Sequence, residues 1–162
     1  MSSLHLLLPI LLLAGGVKAW TNFEFTGQLI CARPEFRYHI VVYEDDIIYD
    51  NVISLHIRTN NVYSQPHYYK ETARDDDDGV ARVIDGYFEI FFKILHNCTS
   101  DRKYKLLVVD IGKFAINDGL HQVVKHITLT NAGDATTQTF PRLKLFDEME
   151  DVALNVSSTR NY

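Results

Sequence analysis

The scarcities of this chain narrow the field before its motifs do. Only two of its 162 residues are cysteine, Cys31 and Cys98, which excludes a dense disulfide framework and leaves one bridge at most. Positive charge is not in excess: 16 Lys and Arg face 21 Asp and Glu, for a formal net charge of −5. That balance argues against nucleic acid as a partner and against general attraction to anionic membrane. After residue 19 the apolar runs are strand-sized and broken by charges, so none has the length of a membrane-spanning helix. GxSxG, GxGxxG, P-loop, HExxH and CxxC spacings are all missing, so no motif points to an enzyme, a metal centre or a cofactor.

What is present begins with an apolar run, Leu4 to Ala14, followed by Val17-Lys18-Ala19. Small residues at the positions a signal peptidase reads make 1–19 a signal peptide and place the mature protein in the extracellular space. Three parts follow: the leader at 1–19, one β domain at 20–140, and a tail at 141–162. In the tail, Leu143, Phe146, Met149 and Ala153 fall at helical spacing, which suits a short amphipathic helix as well as a frayed terminus.

Alternation carries the fold. Phe23, Phe25, Leu29 and Cys31 share one face of a first strand, and Phe36, Tyr38, Ile40 and Val42 share one face of a second. In Y-F-E-I-F-F-K-I-L-H-N-C-T, residues 87–99, the apolar face is Phe88, Ile90, Phe92, Ile94, His96 and Cys98. The opposite face is Tyr87, Glu89, Phe91, Lys93, Leu95 and Asn97. Further strands are expected at 53–58, 80–84, 103–111 and 121–131, with 67–74 an unassigned stretch that would make an eighth, and loops at 59–65 and 112–119. Seven to eight short strands with turn signals between them predict an all-β antiparallel β-sandwich. Both cysteines lie in phase with the core face of their strands, so a buried inter-strand disulfide is the simplest pairing. Closing a loop of that length would stabilise the fold by roughly 4 kcal/mol.

Several residues invite chemistry. Asn97-Cys98-Thr99 and Asn155-Val156-Ser157 are glycosylation sequons, and secretion makes Asn97 and Asn155 usable acceptors. Asp75 to Asp78 followed by Gly79 is rich in carboxylates, but counting back from Gly79 puts Arg74 at the first ligand position of a calcium loop, so a solvated turn fits better. The mature histidines are His39, His56, His67, His96, His121 and His126. None has zinc spacing, and His96 reads as a core residue beside the disulfide. Tyr43, Tyr68 and Tyr69 are the aromatics expected to be exposed as candidate partner contacts, and cross-strand packing accounts for them equally well.

Taken together, G-Q-L-I-C at 27–31, R-P-E-F-R-Y-H-I-V-V-Y-E-D-D at 33–46, the D-G turn at 78–79 and F-F-K-I-L-H-N-C at 91–98 resemble the nematode transthyretin-like family. His96-Asn97-Cys98 is the most specific of these signals, and the likeness runs over about 21–131. It implies a secreted transthyretin-like sandwich in which Cys31 pairs with Cys98. It also implies an extracellular binding or adaptor role, with a protein, a cell-surface component or a small lipophilic ligand as partner. A transthyretin-related hydrolase acting on hydroxyisourate is one rival, and a purely structural secreted protein is another. His126-Ile127-Thr128-Leu129 only faintly echoes that enzyme's His-x-Pro-Leu, and its terminal Tyr-Arg-Gly-Ser is missing.

Overall fold

A computed structural model describes residues 20–45, 50–76, 86–116 and 119–140. The leader at 1–19, the strand expected at 80–84, the Asp77 to Gly79 part of the acidic turn, and the tail with Asn155 lie outside the described residues. Within them the chain is all strand and loop, as β1 (Thr21–Ile30), β2 (Phe36–Glu44), β3 (Asn51–Val52), β4 (Thr59–Val62), β5 (His67–Asp75), β6 (Tyr87–His96), β7 (Lys105–Ala115), β8 (Gly119–Val124), β9 (Ile127–Thr128) and β10 (Asp134–Ala135).

Two sheets face each other. One runs β5-β1-β8 with β9 continuing along β1, and the other runs β10-β7-β6-β2-β3 with β4 also on β2. The six-stranded sheet is antiparallel throughout. Contrary to the all-antiparallel expectation, the four-stranded sheet is mixed, because β1 is parallel to β8 and β9. The chain leaves the end of β7 for the other sheet and so enters beside β1 in the same direction.

Alternation becomes burial as the pattern requires. Phe23, Phe25 and Leu29 of β1 meet Phe88, Ile90, Phe92 and Ile94 of β6 in one core. Phe23 packs edge-on against Phe88 at 5.4 Å and Phe25 against Phe92 at 5.1 Å, a geometry that favours aromatic quadrupoles. The phase slips once. Between Ile90 and Phe91 the register with β7 shifts, skipping Ile111, so Leu107, Val109 and Ile111 turn to the core before the slip and Phe114 and Ile116 after it. Gly112, with φ +130°, supplies the backbone conformation that this bulge needs. The loop expected at 112–119 is therefore strand as far as Ala115.

Two segments exchange roles. Residues 53–58, expected to be a strand, form a crossing: Ile53 N–H donates to Val42 O in one sheet, and Leu55 N–H donates to Thr72 O in the other. Bonding to both sheets in turn, they cannot form a ladder with either. Residues 59–62, expected to be loop, are β4, which pairs from Phe36↔Val62 to His39↔Thr59. The single strand expected at 121–131 is divided into β8 and β9 at Lys125-His126. There Tyr69 Oη donates to Lys125 O at 2.7 Å, and the Lys125 carbonyl lies so close to Gly27 that a Cβ on Gly27 would overlap it.

Candidate functional site

The inner and outer residues of β6 alternate, so the strand that fills the core also builds the outer face of the six-stranded sheet. Register fixes three rows across β2, β6 and β7. They are Tyr43, Phe91 and Asp110, then Val41, Lys93 and Val108, and lastly His39, Leu95 and Leu106. An antiparallel sheet with one solvated face is ordinarily polar outside. Here six of nine positions are apolar or aromatic.

Tyr43 and Phe91 stack at 5.3 Å with their planes 15° apart. Lys93 Nζ stands 4.2 Å from the Tyr43 ring centre and 5.2 Å from that of Phe91. Its charge is met by Asp50 Oδ2 at 2.9 Å. Beyond the stack a cleft of about 420 Å³ opens among Asp45, Glu89, Phe91, Val108, Asp110 and Lys113, with Lys113 paired to Glu89.

At the other end the chain after β10 returns over the sheet. Phe140 packs on Tyr104 at 4.9 Å, and the Arg37 guanidinium lies 4.6 Å over the Phe140 ring. Gln138 and Thr139 thereby wall a second recess of about 340 Å³ whose other sides are His39, Val41, Tyr43, Lys93, Leu95 and Leu106. This return explains why His39 and Leu95 are buried although they sit on the outward phase. His39 Nδ1 is 3.2 Å from the Arg58 carbonyl, which can only accept, so Nδ1 carries the hydrogen. Burial lowers the His39 pKa against the opposing effect of that bond. Nε2 is left as an acceptor with no partner among the described residues.

A polar cluster lies between the sheets at the half-buried His67. Tyr38 Oη and His67 Nε2 are 2.9 Å apart, and burial, with the nearby Glu71 charge, pushes the phenol up to about 12. Glu71 is 5% exposed, and burial raises its pKa to about 7 against the lowering charge of Arg58.

Cys31 and Cys98 form a disulfide with a Cα separation of 6.0 Å. His96 is fully buried beside it: Cys98 N–H donates to His96 Nδ1 at 3.2 Å, and Nε2 donates to Ala132 O at 3.1 Å. Asn97 is half-buried, its Oδ1 accepting from Arg37 N–H at 2.7 Å, while Thr99 Oγ1 donates to Lys103 O. Of the aromatics expected to be exposed, Tyr68 is exposed on β5 and Tyr43 is half-buried in its stack. Tyr69 is corrected: it is 3% exposed, turned inward by the β5 phase and held by Lys125 O. Tyr43 and Tyr68 lie on different sheets, so no tyrosine patch forms.

The remaining histidines are not gathered. His56 is exposed, His121 stacks on Phe23 at 5.4 Å, and His126 Nδ1 accepts from Gln28 N–H at 3.1 Å. Asp75 Oδ1 accepts from Asp76 N–H at 2.7 Å. The outer-face set of His39, Phe91 and Lys93 was visible in the alternation but not singled out, since nothing local distinguishes an open apolar outer face from a covered one. Comparison with protein-family models, curated proteins and solved structures finds no match to this chain.

Proposed function

We propose that the protein is a secreted extracellular binding protein of transthyretin-like type, with 1–19 removed, Asn97 and Asn155 as glycan acceptors, and no enzymatic role. Its partner is a protein, a cell-surface component or a small lipophilic ligand, taken on the outer face of the six-stranded sheet. One observation carries this reading: beyond the end that the chain after β10 covers, Tyr43, Phe91, Val41 and Val108 stand where a solvated sheet would carry polar residues. The disulfide and two-sheet architecture support the family resemblance.

The test is affinity capture with the chain from Trp20 onward, against a panel of extracellular proteins and against lipid vesicles. Saturable capture that Phe91→Ser weakens supports the reading. Saturable capture of neither class overturns it.

A further inference from the structure

We infer that the recess beside His39 binds a small neutral alcohol with a compact apolar body, whose hydroxyl donates to His39 Nε2. The inference rests on the binding role of the outer sheet face and names a ligand class for it. At about 340 Å³ the recess is in the range of small-molecule sites. Its floor is Val41, Leu95 and Leu106, and the Tyr43 ring closes one side, so the body of the ligand must be apolar.

The polar group is selected by elimination. His39 is 8% exposed, its Nδ1 hydrogen is committed to the Arg58 carbonyl, and its remaining lone pair asks for a donor. Nε2 is not wholly buried, so solvent reaches its lone pair in the open recess. A ligand that fills the recess without offering a donor leaves that acceptor unpaired at a cost of about 1–3 kcal/mol, which a hydroxyl avoids and an ether incurs. A cationic head would meet the Lys93 ammonium, which also lines the recess. An anionic head gains little from Lys93, because Asp50 already sits 2.9 Å from its Nζ, and it offers His39 no hydrogen.

Heteronuclear NMR on the chain from Trp20, titrated with 1-adamantanol, 1-methoxyadamantane and adamantane-1-carboxylate, tests this. Expected are saturable amide shifts at Val41, Leu95, Leu106 and Thr139, with the alcohol binding about ten-fold more tightly than the ether or the carboxylate. His39→Phe should keep adamantane binding and erase the preference, while Val41→Trp should fill the recess and abolish both. Should His39→Phe not fold, the His39 Nε2 nitrogen resonance of the unmodified protein serves instead, moving with the alcohol and staying with the ether. Equal affinities, shifts outside the recess, or no saturation overturn the inference. Phe91-dependent capture of a protein or of vesicles without adamantanol binding overturns the ligand and leaves the surface standing.

Discussion

Glu71 and His96 are two buried titratable side chains, and they pull stability in opposite directions with pH. Burial raises Glu71 from 4.5 to about 7. The folded state therefore holds that proton more tightly than the unfolded chain, and its contribution is whole below 4.5 and lost as pH rises through 7. His96 is lowered from 6.5 to about 4, first by burial. Protonating Nδ1 would also abolish the acceptor used by Cys98 N–H. Its contribution is whole above 6.5 and lost as pH falls through 4. Glu71→Gln isolates the first effect. Urea unfolding from pH 4.5 to 8 should show the wild type losing stability relative to the variant as pH rises, by about 3 kcal/mol at most; parallel profiles would refute a buried, protonated Glu71. For His96, ring nitrogen shifts at pH 5.5 should report a neutral Nε2–H tautomer, and an imidazolium at that pH would contradict the burial and bonding described.

At the scale of elements, two glycines are required for different reasons. Gly27 lies in mid-strand, where the Lys125 carbonyl crosses toward Tyr69 Oη. Gly112 has open space around it but a φ of +130°. Gly27→Ala forces two backbones apart and should cost about 1–3 kcal/mol, as overpacking does. Gly112→Ala leaves packing alone and should cost about 1 kcal/mol through conformation. Thermal midpoints of the two variants check the ranking, and hydrogen exchange should show loosening of β8 and β9 in the first but of the β6–β7 ladder in the second. The same elements mark what the sequence could disclose. Strict alternation in β1, β2 and β6 made the core face and the inward phase of both cysteines legible, since each strand needs only its own residues to show it. Residues 53–58 alternate as well, yet their hydrogen bonds divide between sheets. Asn60 and Asn61 have weak strand propensity, yet the open edge of β2 recruits them. The recess was hidden for a similar reason, because His39 and Leu95 are covered by residues 138–140, about a hundred and about forty positions away in the chain respectively.

For the whole molecule, the disulfide joins the sheet of β1 to the sheet of β6 across a sequence separation of 67 residues. Cys31 closes the first strand and Cys98 follows the strand that faces it, so the bridge spans the sandwich and not a hairpin. In the chain-entropy account it acts chiefly on the unfolded ensemble, and the double variant Cys31→Ala, Cys98→Ala should retain the native amide spectrum while losing roughly 4 kcal/mol in denaturant titration. Burial adds a kinetic consequence. Cys98 is wholly buried and Cys31 is 8% exposed, so a thiolate reductant reaches the bond only when the sheets part. Reduction under native conditions should therefore rise with reductant concentration and then level at the opening rate, measured by mass spectrometry of alkylated thiols. A rate that climbs without limit would mean that the bond is reached in the closed sandwich. Two free thiols in freshly purified protein would remove the bridge altogether, and with it the strongest tie between the two sheets.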